Sequence, residues 1–239
     1  MNPAELDERL SRISTMWTIQ LQAHREGAAA LQAELLRRYR GPAFRYLIAC
    51  VHDADIAEDL AQDFALRFLR GDFGKADRNR GRFRDYLRVS LSRLATDYYR
   101  QQAKQGVELA ADPTDRRPPE SADREYHEHW RDELLNRAWS AMAKESPTEY
   151  AALKLRVETP DMNSVEMAAQ LSERLGREIS SDSVRKAIER GRKRFAETLL
   201  DEVAATLDDA DAESLEAELT DLGLFRYCRS ALERRGAAN

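Results

Sequence analysis

The residues of this chain best suited to chemistry are cations and aromatic rings at helical spacing. Arg80, Arg82, Arg84, Arg88, Arg93 and Arg100 are interleaved with Phe83, Tyr86, Tyr98 and Tyr99. A second set, Arg185, Lys186, Arg190, Arg192 and Lys193, follows Ser181 and Ser183. Guanidinium and ammonium groups pair with phosphates, and aromatic rings stack on unpaired bases. Each set shares its segment with an apolar stripe, so one face can pack on a core while the other offers cations. Two such segments, separated by residues 101–182, suggest two DNA contacts made by one protein.

Bond-breaking chemistry has no comparable set. There is no Gly-rich phosphate loop and no G-x-S-x-G nucleophile pattern. His127 and His129 are two residues apart and point to different sides of a helix. Asp59 and Asp63 share a face, but no His or third carboxylate is placed to complete a hard metal site. No enzyme, metal or cofactor is expected. Glu58, Asp59, Gln62 and Asp63 instead form an acidic patch on an otherwise apolar helix, a solvated face or a docking face for a basic partner.

The elements that must position these groups are helices. Apolar residues recur every three to four positions, and no alternating strand run is present. The sequence predicts an all-α protein of two small helical domains, with domain 1–104, a flexible linker 105–126, domain 127–200 and an acidic amphipathic extension 201–239. In the first domain, helices are predicted over 5–13, 15–39, 43–51, 53–70 and 82–103. Gly41-Pro42 marks a break, Asp53 or Asp55 a cap, and 71–81 a loop. Ile56, Leu60, Phe64, Phe68 and Leu69 would line the buried side of the fourth helix. Three prolines between 112 and 119 argue for a solvated linker. In the second domain, helices over 127–143, 147–157, 163–175 and 182–200 end in a helix-turn-helix pattern. Asn163 with Glu166 fits a capping box, and Gly176 suits a left-handed residue after a helix. Ser181 and Ser183 offer caps to the last helix, whose Val184, Ala187, Ile188, Phe195 and Leu199 face inward.

Charge is unevenly distributed. The 239 residues carry a net charge of −5. Residues 201–239 hold ten acids and four arginines, a net of −6, whereas 79–104 hold seven basic and two acidic residues, a net of +5. Phosphate affinity follows such local stripes more than the total. The near-neutral whole implies a partner that helps hold the protein on DNA. No apolar stretch is long enough to cross a membrane, and the N-terminal residues lack a signal-peptide pattern. With two lone cysteines, Cys50 and Cys228, the expected setting is cytoplasmic.

Together these residues resemble the extracytoplasmic-function group of bacterial RNA polymerase sigma factors. Residues 57–69 are similar to that group's D-A-E-D-L-x-Q-E-x-F-L-R-x-W segment. Residues 82–98 are similar to its F-R-x-W-L-x-x-I-A-R-N-x-A-x-D-x-x-R segment. Thr15, Trp17 and the stretch 72–84 look closest to a variant common in planctomycete genomes. The resemblance covers about 12–104 and 127–200, the family's regions two and four. It implies that Glu58, Asp59, Gln62 and Asp63 contact core RNA polymerase at the β′ clamp helices, with the β flap as a second polymerase contact. It also implies that loop 71–81 holds a flipped base of the −10 element. Arg80, Arg82, Arg84, Arg88, Arg93, Tyr98 and Arg100 would lie along the melted strand. Ser181, Ser183, Arg185, Lys186, Arg190, Arg192 and Lys193 would read the −35 element as duplex promoter DNA.

Two other readings compete. A stand-alone helix-turn-helix regulator would bind DNA without polymerase, but it gives no role to residues 58–63. A sigma-like adaptor would bind polymerase without promoters, against which the cations of 79–104 argue. Control by an anti-sigma factor or a kinase stays open, since no motif specifies either. The extension either adds helices to the second domain or folds over the basic helices and shields them.

Overall fold

The computed structural model describes residues 29–70, 82–104, 120–207 and 210–238. The expected helix 5–13, most of helix 15–39, loop 71–81 with Arg80, and linker residues 105–119 lie outside the described residues. So do the side chains of Phe68, Leu69 and Phe83. Among the described residues every regular element is an α-helix. These are α1 (Ala29–Val51), α2 (Ala54–Arg70), α3 (Phe83–Lys104), α4 (Glu120–Glu145), α5 (Pro147–Glu158), α6 (Ser164–Leu175), α7 (Ser181–Ala204), α8 (Ala212–Asp221) and α9 (Phe225–Ala238). None is long and apolar enough to cross a membrane. The chain divides into two compact units, 1–132 with 205–210, and 133–204 with 211–239.

In the first unit, α1, α2 and α3 pack against one another. Gly41-Pro42 does not break α1, which runs through Pro42. Proline there removes one helical hydrogen bond, a cost of about 3 kcal/mol in an isolated helix. Its ring is buried beside Ala43, Tyr46 and Leu47, and that tertiary packing overrides the local signal. The corner into α2 turns on His52, whose φ of 55° is left-handed and whose N–H donates to the Ile48 carbonyl at 2.8 Å. Asp53 then caps α2, its Oδ1 accepting from the amides of Asp55 and Ile56 at 3.0 Å each. Leu87, Leu91, Leu94 and Ala95 put the apolar edge of α3 into the core. Tyr99 ties α3 to the end of α1, its hydroxyl donating to the Cys50 carbonyl at 3.1 Å.

The first three turns of α4 belong to this unit, although 120–126 were expected to be linker and 127–132 to open the second domain. Ala122, Tyr126 and Trp130, spaced by four residues, are buried in it. Trp130 stacks on Tyr39 with ring centroids 5.1 Å apart, and Tyr126 meets Tyr46 edge-on at 5.5 Å. The Tyr126 hydroxyl donates to the Arg84 carbonyl at 3.1 Å. Large aromatic surfaces removed from water outweigh the polar character of their neighbours.

In the second unit α7 is central, packed by α5, α6, α8 and α9. Its core joins Met142, Leu153, Leu155, Met167, Leu171, Val184 and Ile188. Trp139 closes one side, 4.3 Å from the Phe195 ring and edge-on to Tyr150 at 5.8 Å. The extension folds as α8 and α9 on the C-terminal half of α7, burying Leu215, Leu219, Leu222, Leu224, Cys228 and Ala231. Arg234 reaches Glu197 at 3.0 Å and Arg235 reaches Asp201 at 2.8 Å. Both cysteines are free and buried, and burial pushes the Cys228 thiol up to about 11.

Gly191 sets the spacing of α5 and α7. A Cβ there would meet the Glu149 carbonyl oxygen at 3.0 Å and Leu153 Cβ at 3.2 Å. Gly191→Ala should lower stability by about 1 kcal/mol, because overpacking of about 1–3 kcal/mol exceeds the helix-propensity gain. Trp130→Ala should cost about 3 kcal/mol in urea unfolding followed by circular dichroism. An unchanged midpoint would mean that residues 120–132 do not pack in the first unit.

Candidate nucleic-acid and partner interfaces

On α2 the side turned to the core holds Ala57, Ala61 and Phe64, with Ile56 and Leu60 at its margins. The opposite side presents Asp59, Gln62 and Leu66, at i, i+3 and i+7, all exposed. Glu58 and Asp63 are half-exposed beside them, and Asp63 pairs with Arg67 at 2.7 Å. Leu66 is 51% exposed, a large apolar group amid carboxylates and an amide. Residue-type reasoning missed it, since a leucine on a helix is first assigned to the core. Its register seven residues after Asp59 was the available signal. An apolar anchor ringed by acidic groups is suited to a partner helix with basic flanks.

The cations of α3 divide between two sides. Arg84 is only 3% exposed, with its carbonyl bound by Tyr126. It is therefore not on the surface expected to follow a nucleic-acid strand. The cause is α4, which covers the edge of α3 that residue types mark as solvated. Arg88, on the same side, pairs with Asp123 at 2.7 Å, and Asp123 also accepts from the Tyr46 hydroxyl at 3.4 Å. Arg82 is half-exposed at the helix start.

The other side of α3 holds Tyr86, Val89, Arg93 and Arg100. Val89 is 37% exposed, Arg93 and Arg100 are exposed, and Arg100 pairs with Asp97 at 3.4 Å. Tyr86 is half-buried, and burial raises its phenol pKa against the lowering effects of Ser90 and Arg93. Tyr98 lies edge-on to Tyr99 at 5.4 Å, and burial, Tyr99 and Asp53 raise its pKa. Both phenols therefore stay neutral near pH 7. The Tyr86 side combines one ring, the apolar Val89 and cations, a set that accommodates unpaired bases on a phosphate backbone, while Tyr98 lies toward α2.

In the second unit the turn before α7 is built locally. Asn163 accepts from the amides of Val165 and Glu166 at 2.9 and 3.1 Å, and Glu166 accepts from Asn163 N–H at 3.0 Å. The α6 helix ends at Gly176, left-handed at φ 64°. The Ser172 hydroxyl accepts from Ile179 N–H at 2.9 Å, and Arg177 donates to Thr148 Oγ1 at 2.8 Å. The α7 cap is Ser180, whose Oγ accepts from Ser183 N–H at 3.2 Å, and not Ser181 or Ser183. The Ser183 hydroxyl lies 2.9 Å from that of Ser180.

Ser183, Arg185, Lys186, Arg190, Arg192 and Lys193 are all exposed on α7, with Ser181 half-exposed. Arg190 leans onto α5, pairing with Glu149 at 3.0 Å, and Arg194 pairs with Glu145. Asp182 and Glu189 share the solvent side with the remaining cations. The described residues contain no group of three or more side chains arranged to hold a metal ion.

The region that forms α1, α2 and α3 has a known counterpart. Residues 35–105 match the family model of Sigma-70 region 2. The match spans under a third of the 239 residues and takes in both the α2 surface and the α3 surface. No curated protein and no solved structure matches the chain significantly. The match ends at 105, so the α4 turns that pack on the first unit lie beyond it.

Packing of α4 in the first unit brings two histidines against cations. His127 faces Arg84 and Arg88 along with Asp85 and Asp123, and burial and the arginines lower its pKa. The His129 ring nitrogen Nδ1 lies 2.7 Å from the Arg45 guanidinium, with Asp132, Glu125 and Glu128 nearby, and its pKa is likewise lowered by burial and Arg45. A depressed folded-state pKa means that the unfolded chain binds protons first as pH falls. The associated stability is complete above about pH 6.5, the unfolded histidine value, and is lost as pH falls through the lower folded values. Urea midpoints from pH 7.5 to 5 should fall for wild type and fall less for His127→Gln with His129→Gln.

Proposed function

We propose that this chain is a sigma factor of the extracytoplasmic-function group, which binds core RNA polymerase and directs promoter recognition and melting. The carrying observation is that the Sigma-70 region 2 match coincides with the acidic, Leu66-centred side of α2 and the aromatic-cationic side of α3. Asp59, Gln62 and Leu66, with Glu58 and Asp63 at the margin, contact the β′ clamp helices. Tyr86, Arg93 and Arg100 follow the melted −10 strand, with Arg82 and Arg80 at its entry, whereas Tyr98, two residues before Arg100, stands on the α2-facing side of α3. Arg88 joins only if Asp123 releases it, and Arg84 acts in packing.

The second unit is the region-four counterpart, a helix-turn-helix of α6 and α7 that reads the −35 duplex. Ser183, Arg185 and Lys186 stand at the start of α7, where a recognition helix meets base edges. Arg192 and Lys193 stand farther along, where phosphates lie. The β flap is the polymerase contact of this unit. The division of labour follows from the substrates: a melted strand needs stacking surfaces and cations, and a duplex needs a helix in its groove. Polymerase contacts supply affinity that the net charge of −5 does not, by raising effective concentration at the promoter. The protein carries no chemistry of its own, acts in the cytoplasm, and needs no cofactor.

Abortive initiation with purified core polymerase on promoter regions of the native genome tests this reading. Wild type should support initiation, and Asp59→Arg should reduce core binding and initiation at least tenfold while leaving the circular dichroism spectrum unchanged. Polymerase binding without initiation would favour the adaptor, and no polymerase binding would favour a stand-alone DNA binder.

A further inference from the structure

A carboxylate on a surface that meets DNA repels phosphate, yet α7 carries two of them in the middle of its solvent side. Asp182, Arg185, Lys186, Glu189, Arg192 and Lys193 stand opposite the buried Val184, Ala187, Ile188 and Gly191. Asp182 meets Lys186 at 2.8 Å and Arg185 at 3.3 Å, and Glu189 meets Lys193 at 3.0 Å. These cations hold both carboxyl groups below their ordinary pKa, so both stay ionised at neutral pH. Exposed pairs of this kind add little to stability. Asp182 in the first turn also suits the helix dipole. Neither effect accounts for acids alternating with cations along the side that would enter a groove.

We propose that Asp182 and Glu189 are specificity-determining residues, which hold the cations of α7 away from phosphates and so weaken binding to duplex of arbitrary sequence. The inference rests on the reading of the second unit as a duplex binder. With Asp182 in place the segment 181–188 carries a net charge of +1, and without it +2. Non-specific attraction grows with each cation free to meet a phosphate. At a matching site the pairs are exchanged and not merely broken. Arg185 or Lys186 donates to guanine O6 and N7, and Asp182 accepts from the cytosine N4 amino group, so a G·C pair under the first turn satisfies both charges. At other sequences a buried carboxylate faces acceptors, which penalises the complex.

The test uses the full chain and two duplex probes, one selected from a random library by the wild-type protein and one scrambled. Asp182→Ala with Glu189→Ala should bind the scrambled duplex about fivefold tighter or more at 0.15 M salt. The slope of log K against log salt should steepen by about 1–2. The ratio of selected to scrambled affinity should fall at least fivefold, and the G·C preference should relax. Asp182→Glu should keep the wild-type ratio, and Glu189→Ala alone should show a partial effect, a safeguard should the double variant misfold. Unchanged ratio and slope, with wild type binding its selected duplex, would overturn the inference and leave the duplex reading standing. Failure of wild type to enrich any duplex, with or without core polymerase, would overturn both.

Discussion

The aromatic layer of Tyr39, Tyr46, Tyr126 and Trp130 decides which side of the basic helix α3 faces solvent. It draws the first turns of α4 onto α1 and α3, and so covers one edge of α3. Arg84 is buried by that packing, and Arg88 is held by Asp123. Exposed Arg93, Arg100 and Lys104 stand with Tyr86 and Val89 on the opposite side. A helix whose arginines looked equivalent is thereby split into a covered edge and a solvent-facing edge. The Arg84 stem packs in this layer, its carbonyl accepts from the Tyr126 hydroxyl, and its Nε stands 4.0 Å from Asp85.

The second unit applies a related constraint with different means. Gly191 lets α5 approach α7 closely, and Ser172, Arg177 and Ser180 fix the turn that sets the start of α7. With its inner side occupied by core and its last turns packed by α8 and α9, α7 presents exposed cations from Arg185 to Lys193. Asp182 and Glu189 stand among the cations of that side and pair with Arg185, Lys186 and Lys193.

Much of this was legible in residue types and spacing. Helical periodicity gave the fold class, Asp53 and Asn163 with Glu166 fit caps because short polar side chains reach orphan amides, and Gly176 fits a left-handed end. What escaped was set by distant partners. Pro42 reads as a break until its ring is buried. The stretch to 126 reads as linker when its composition is averaged, although Ala122, Tyr126 and Trp130 already mark one side of a helix. Arg84 reads as surface because arginine is rarely buried. The net of −6 over 201–239 hides a basic α9, where Arg226, Arg229, Arg234 and Arg235 outnumber Glu233. That contrast is why the extension can pair with the acids of α7 while packing on it.

The central claim is that promoter opening runs along the Arg93 side of α3 and not along the side covered by α4. Its most direct test is permanganate reactivity of −10 thymines in complexes with core RNA polymerase, comparing Arg93→Ala with Arg88→Ala. The account predicts open-complex reactivity for wild type, near-complete loss for Arg93→Ala and retention for Arg88→Ala. Retention by Arg93→Ala with loss by Arg88→Ala would contradict it.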